Sequence, residues 1–260
     1  VTAAAVEDDP RDPRGILLVT GGSRGIGAAV CRLAALEGYD LAVGYAGRRE
    51  AAEAVAAAVR AAGRRAVTLP ADVADPAAVA GLFDAAEAAL GPLTALVNSA
   101  GITGLSRRFL ESDPEEMRRV VEVNTTGTLY CCREAARRMA RSRGGRGGTI
   151  VNLSSAAATL GSPGEFVWYA ASKGGVDSLT IGLSKELGPE GIRVNAVSPG
   201  LIETEIHASA GDAGRLQRYA AQVPLGRSGT AEEVAEPIVW LLSDAASYVS
   251  GAILRVGGGR

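Results

Sequence analysis

Ile16 to Val30, ILLVTGGSRGIGAAV, is the stretch whose reading decides the fold. Ile16 to Val19 form an apolar run of the kind found in a parallel strand buried on both faces, and a helix begins almost at once after it. Between them stand Gly21, Gly25 and Gly27, spaced G-x-x-x-G-x-G. Glycines so placed let the chain turn sharply and bring backbone N–H groups close to an anion at the helix N-terminus, which is how a pyrophosphate is held. The alternative is a Gly-rich turn that holds nothing, and the rest of the chain has to decide between them.

Outward from this stretch, strands and helices alternate. The first helix ends near Gly38, Leu41 to Tyr45 reads as a second strand, and Arg48 to Ala62 as an Ala-rich helix closed by Gly63. A third strand, Ala66 to Leu69, leads to Asp72 and Val73, and Asp75 with Pro76 opens a helix reaching Leu90. The fourth strand, Leu93 to Val97, ends in Asn98-Ser99-Ala100-Gly101. Asp113-Pro114-Glu115-Glu116 starts a helix whose character continues to about Arg143. Asn124 lies inside it, where a poor helix former predicts a side-chain bond or a break in the backbone ladder. The fifth strand, Thr149 to Leu153, delivers Ser154 and Ser155, and the sixth, Gly191 to Val197, ends at Pro199-Gly200. Residues 201–222 lack the apolar period of a core helix and read as a mobile lid. Glu232 to Leu242 is the last clear helix and Ala252 to Val256 the closing strand.

With 260 residues, 47% of them hydrophobic, the chain can bury a full core, and one α/β domain over residues 15–260 is expected. Residues 1–14 are acidic and Pro-containing without an apolar centre, so they read as a disordered leader and not as a signal peptide. A net charge of -2 gives no electrostatic reason to expect nucleic acid or an anionic membrane as partner, and no segment reads as transmembrane. The tract Arg141 to Gly148, RSRGGRGG, is too short for an RNA-binding tail and reads as a solvated loop. Cys31, Cys131 and Cys132 lack C-x-x-C spacing and read as reduced packing residues of a cytoplasmic protein. His207 is the only histidine, which excludes His-based triads and His-rich zinc sites; no metal is expected, and acid–base chemistry must use another side chain.

In an NAD-specific site of this kind an acid about 20 positions past the glycines binds the ribose 2′-hydroxyl. Here that region reads Tyr45-Ala46-Gly47-Arg48-Arg49, with no acid until Glu50. A missing carboxylate removes repulsion from a 2′-phosphate, and Arg48 or Arg24 can supply charge-assisted bonds to it, which favours NADP(H). The plainer reading, in which Arg48 and Arg49 only solvate a helix start, stays open. Asp72, at a strand end, either bonds an adenine amino group or caps its own loop. The chemical centre is Tyr169-Ala-Ala-Ser-Lys173: four residues apart on a helix, the two side chains share a face and can reach one ligand.

Taken in order, Thr20 to Gly27, Asn98 to Gly101, Asn124, Ser155, and Tyr169 with Lys173 resemble the motifs of the short-chain dehydrogenase/reductase family, over essentially all of residues 15–260. The resemblance implies a Rossmann-type doubly wound domain: a seven-stranded parallel sheet with helices on both faces, assembled as a homotetramer. It implies a catalytic tetrad of Asn124, Ser155, Tyr169 and Lys173. Cofactor contacts are expected from Gly21, Ser23, Arg24, Gly25, Ile26, Gly27, Tyr45, Arg48, Asp72, Val73, Asn98, Ala100, Gly101, Tyr169, Lys173, Pro199, Gly200, Ile202 and Thr204.

In the implied mechanism Tyr169 gives a proton to the carbonyl oxygen and Ser155 hydrogen-bonds that oxygen. The Lys173 ammonium and a positive nicotinamide ring favour the phenolate, and Asn124 holds a water linking Lys173 to solvent. Ser154 is an alternative to Ser155, since the spacing to Tyr169 is one residue longer than common. Ser99 stands where the family more often has Asn, and Gly257 where it often has Asp.

The implied activity is NADP(H)-dependent interconversion of a carbonyl and a secondary alcohol. A free sugar, polyol or ketone, as for a glucose dehydrogenase, is the preferred substrate class. A 3-oxoacyl-[acyl-carrier-protein] reductase and a non-catalytic NADP(H) sensor are the alternatives. An acidic carrier protein needs a basic docking patch. Arg143 and Arg146 offer one, but Glu190 puts an acid where related carrier-protein reductases can carry a base, and the lid sets Arg215 and Arg218 among Glu203, Glu205 and Asp212.

Overall fold

The structure is a computed structural model describing residues 13–212 and 214–260. Among these residues seven parallel strands form one sheet in the order β3-β2-β1-β4-β5-β6-β7. The strands are β1 (Gly15–Thr20), β2 (Tyr39–Tyr45), β3 (Ala66–Pro70), β4 (Ala95–Asn98), β5 (Gly148–Leu153), β6 (Ile192–Pro199) and β7 (Ile253–Val256). Helices α1 (Gly25–Leu36), α2 (Arg49–Ala61) and α3 (Pro76–Leu90) follow the first three strands. Next come α4 (Pro114–Val121), α5 (Gly127–Met139), the short α6 (Ala157–Leu160) and the long α7 (Val167–Glu186). Two short helices, α8 (Ile206–Ser209) and α9 (Arg215–Ala220), precede α10 (Ala231–Leu242).

Period-two alternation divides each buried strand between two cores. Leu17, Val19, Leu41, Val43, Val97 and Val151 face a core shared with α1, α2 and α10. Leu18, Ala42, Leu96 and Ile150 face the other, shared with α3 and α5. A chain that runs outward from β1 to β3 and then returns to lay β4 on β1's other side leaves a crevice beyond the carboxyl ends of β1 and β4. That reversal of strand order is where open α/β sheets bind ligands.

Two sequence expectations differ from what is found. The helix expected to run from Pro114 to about Arg143 ends at Met139, because Gly145 and Gly147 fold back to donate to the Ala140 and Met139 carbonyls, at 2.9 and 2.8 Å. It is also interrupted: Glu122–Thr126 widens to a π-helical turn around Asn124. The expected leader lies outside the described residues except for its last two. Of these, Arg14 is anchored, its backbone N–H donating to Gly38 O at 3.0 Å.

Cys31, Cys131 and Cys132 are buried and unpaired, and burial raises all three thiols, Cys31 and Cys132 to about 12. No described helix is long and apolar enough to cross a membrane, and no group of side chains among the described residues is suited to a metal ion.

Candidate active site

Lys173 fixes the site, because α7 carries it inward until it is only 5% exposed. Its ammonium donates to Leu153 O at 2.6 Å, at the end of β5, and lies 5.8 Å from the centre of the Tyr169 ring. Burial draws the Lys173 pKa down to about 8, against a smaller opposing pull from Asp177 one helical turn on.

Tyr169 and Ser155 meet on the same cavity wall, and the serine hydroxyl bonded to the phenol favours the phenolate. Burial outweighs that bond and leaves the Tyr169 pKa raised. The Arg215 guanidinium also pulls it downward. The Lys173 ammonium, expected to favour the phenolate, donates to the Leu153 carbonyl and lies beside the Tyr169 ring. The Ser154 hydroxyl is buried and directed at Asp177 and the Lys173 carbonyl, which leaves Ser155 as the serine engaged with the phenol.

Asn124 stands behind these groups, wholly buried. Its Oδ1 accepts from Ile102 N at 2.9 Å, and its Nδ2 donates to Ile102 O at 2.8 Å and to Ser172 Oγ at 3.0 Å. Thr128 Oγ1 donates to the Asn124 carbonyl at 2.7 Å, and Thr125 Oγ1 to Ser172 O at 2.9 Å. Both a side-chain bond and a break in the helical ladder therefore occur at this residue, and π-helical turns of this kind recur at functional sites. A Cβ at Gly101 would lie 3.3 Å from Asn124 Oδ1 and 3.5 Å from Lys173 Nζ, so this position keeps the two side chains within reach of one cleft.

Gly101 borders three cavities, two of which hold the expected site residues. One, of about 570 Å³, contains Ser155, Tyr169 and Lys173 together with Ile26, Pro199, Gly200, Ile202 and Thr204. The other, about 210 Å³, lies over the glycine turn and reaches Gly21, Ser23, Arg24, Tyr45, Arg48, Asp72, Val73 and Ala100. Gly21 has φ +65°, and a Cβ there would press on the Ala100 backbone at 2.8 Å. At Gly27 a Cβ would collide with the Gly21 carbonyl, while a Cβ at Gly25 would face Thr204 at 3.4 Å. The N-terminus of α1, beside this cleft, has no side-chain cap and no acid in its own first turn.

Two expected contact residues also make bonds within the fold. Asp72 accepts from Ala74 N at 3.0 Å and pairs with Arg119 at 2.6 Å, which together hold its carboxyl below the usual range despite partial burial. It therefore caps its own loop while still bordering the cleft. Asn98 donates to Asn152 Oδ1 at 2.9 Å, and Asn152 Nδ2 to Thr180 Oγ1 at 3.0 Å. Asn98 thus ties β4 to β5 and α7 behind the cleft and lines neither cavity.

The lid stretch 201–222 is two short helices over the larger cavity. There Arg215 makes a two-bond pair with Glu165, at 2.7 and 3.2 Å, and stacks over the rings of Phe166 and Tyr219. Glu165, Phe166, Tyr219 and Gln222 were not foreseen as cavity residues. They lie on a loop and on or just after the short helix α9, too brief for a period to mark an inward face; the one local signal is the Gly/Pro loop before Tyr169.

A family profile described as enoyl-(acyl carrier protein) reductase matches residues 21–260. An uncharacterized oxidoreductase, YgfF, of Escherichia coli is 51% identical over 94% of this chain and 99% of its own length. An L-rhamnose 1-dehydrogenase (NAD(P)(+)) of Sphingomonas is 40% identical over 94% of each chain. The 3-oxoacyl-[acyl-carrier-protein] reductase FabG of Staphylococcus aureus is 38% identical over 93% of this chain and 96% of its own. Among solved structures, a short-chain dehydrogenase from Burkholderia cenocepacia in complex with NADP superimposes with a TM-score of 0.88 at 34% identity, over 96% of this chain and 98% of that one.

Proposed function

This chain belongs to the short-chain dehydrogenase/reductase family, and from that premise we propose that it interconverts a carbonyl and a secondary alcohol on a free small molecule with NADP(H). The observation that carries the proposal is the meeting of Tyr169, Ser155 and Lys173 in one cavity, joined at Gly101 to a cleft rimmed by Arg24 and Arg48.

The residues present fit a nicotinamide dinucleotide. Gly21 and Gly27 let the turn pack closely against backbone that a Cβ would strike, and the uncapped start of α1 suits a pyrophosphate. Ser23, Gly25 and Ile26 would line that end, Tyr45, Asp72, Val73 and Ala100 the adenosine end, and Pro199, Gly200, Ile202 and Thr204 the nicotinamide end. When bound, the cofactor supplies or accepts a hydride.

Every other part falls to the chain's own groups. In reduction Tyr169 starts protonated, as its burial favours, and gives its proton to the carbonyl oxygen. Ser155 donates to the same oxygen as charge develops on it. Lys173, whose pKa burial draws down to about 8, would give a proton to the phenolate and take one back from solvent, and it would hold the cofactor ribose. Asn124 is a positioning residue that fixes Ile102 and the Tyr169–Lys173 turn of α7.

The cofactor choice rests on the absence of an acid at Tyr45, Ala46 and Gly47 and on the two arginines at the rim. Activity with NADPH is expected to exceed that with NADH in kcat/KM, and Arg48→Asp is expected to reverse the order, by roughly tenfold or more in the ratio. Equal efficiencies in the native protein would refute the 2′-phosphate assignment.

For the substrate, the lid bases are committed: Arg215 to Glu165, and Arg218 to Asp212 at 2.8 Å. Glu190 accepts from Ser142 N at 2.8 Å, which sets an acid beside the exposed Arg143 and Arg146. An acidic carrier protein would meet no strongly cationic rim, which favours a free ketone, sugar or polyol. The FabG likeness makes a carrier-linked 3-oxoacyl ester the second reading. In a competition at low and moderate salt, a salt-sensitive preference for the carrier-linked ester would overturn the first.

We also infer a homotetramer, supported by apolar side chains left exposed on α4, α5 and near the C-terminus, among them Val121, Leu129, Trp240 and Tyr248. A monomer by light scattering at micromolar concentration would refute it. Free, buried thiols support a cytoplasmic location, which cell fractionation checks.

A further inference from the structure

Arg24 and Arg48, which leave the chain at the starts of α1 and α2, converge on one carboxylate oxygen. Arg48 Nη1 lies 2.8 Å and Arg24 Nη1 3.3 Å from Oε2 of Glu205, at the root of the lid helix α8. Arg24 also reaches Ser209 Oγ at 3.5 Å, and that serine donates to the Glu205 carbonyl at 3.0 Å, so the contact gathers the whole of α8. The acid missing from Tyr45 to Gly47 is therefore supplied by a residue 157 positions beyond Arg48.

We propose that Glu205 is a cofactor-discriminating latch: its carboxylate competes with a ribose 2′-phosphate for Arg24 and Arg48, so that binding the phosphorylated cofactor releases the root of the lid. The inference rests on the assignment of those arginines to the 2′-phosphate. Two guanidiniums facing one carboxylate leave one net positive charge. A phosphate monoester carries between one and two negative charges near neutrality and has three acceptor oxygens, so it is the stronger partner for two forked donors. It cannot share them cheaply with Glu205, because like charges on the same donors repel. A cofactor bearing only a 2′-hydroxyl adds no such repulsion, and Glu205 keeps its place.

The magnitudes set the scale. Glu205 and Arg48 are each 56% exposed and Arg24 35%, so the bridge is screened by solvent and a phosphate can displace it. Its effect is to lower affinity for the phosphorylated cofactor without abolishing it, and to tie lid position to which cofactor has bound. The chain then accepts both dinucleotides with a ratio set by a lid residue, in contrast to a site whose discriminating acid is built into the strand end.

The test uses the full chain and two fragments that lack the nicotinamide, 2′,5′-ADP and 5′-AMP, titrated calorimetrically into wild type, Glu205→Gln and Arg48→Ala. Glu205→Gln is expected to tighten 2′,5′-ADP roughly three- to tenfold and to leave 5′-AMP unchanged. In wild type, 2′,5′-ADP but not 5′-AMP is expected to speed amide exchange across residues 205–210. Unchanged 2′,5′-ADP affinity in Glu205→Gln, alongside weakened affinity in Arg48→Ala, would overturn the latch and leave the phosphate site standing. Unchanged affinity in both variants would overturn the phosphate site as well.

Discussion

Tyr169→Phe is expected to lower turnover by roughly 10²- to 10⁴-fold while leaving cofactor affinity close to wild type. The ring keeps its packing: Tyr169 meets Phe166 edge-on with centroids 5.8 Å apart, and phenylalanine preserves that contact. What disappears is the hydroxyl, the one group that both touches Ser155 and has a transferable proton at the cavity wall. The Ser155 hydroxyl can still bond a carbonyl oxygen, but it cannot readily complete the proton transfer, which is why a residual rate is expected and not zero. Cofactor binding followed by fluorescence separates the two effects. Wild-type turnover in this variant, or a loss of cofactor binding equal to the loss of turnover, would remove Tyr169 from its role.

Lys173→Met is expected to lose turnover on a similar scale and, unlike Tyr169→Phe, to weaken cofactor binding, because the ammonium serves both. It carries a second signature in stability. In the folded chain the lysine pKa lies at about 8 against a reference of 10.5. Below about pH 8 the side chain is charged in both the folded and the unfolded states, and the folded state bears the full cost of burying that charge. Between about 8 and 10.5 the unfolded chain holds more of the proton than the folded one, so stability rises with pH across that window. Methionine has no such linkage.

The stability of wild type relative to Lys173→Met should therefore climb from pH 8 to pH 10 in urea titrations. Groups common to both proteins, including Tyr169 and the three thiols, cancel in the difference. The neutral-pH value also contains the loss of the bond to Leu153 O, which makes the slope and not the offset the quantity to read. A flat difference across that range would mean that the lysine is not held in a desolvated state.

The sequence made the sheet legible because a parallel strand buried on both faces is written as an uninterrupted apolar run, and Ile16–Val19 is such a run. Boundaries shifted where side chains or glycines replace backbone partners. Thr94, for example, receives the Ile16 N–H on its hydroxyl at 3.0 Å just ahead of β4. Tyr169 and Lys173 were legible through their helical spacing, and Asn124 through its misfit with the helix around it. The environment that sets their chemistry was not. Nothing local links Glu165 to Arg215, or Arg24 and Arg48 to Glu205, since each contact joins a fixed element to a lid whose side chains obey no period. The upward push on the Tyr169 pKa is likewise not written in sequence, because burial is a property of the packed chain.

The most direct measurement is the transfer of deuterium from cofactor deuterated at the reactive carbon of the nicotinamide, using wild type and Tyr169→Phe with a panel of free ketones, aldoses and oxidised polyols. The account expects deuterium at the former carbonyl carbon of the product with wild type, faster from NADPH than from NADH, and a rate lower by roughly two or more orders of magnitude in Tyr169→Phe. Stoichiometric binding of NADPH with no deuterium transfer to any carbonyl, or equal transfer by the two proteins, would contradict it.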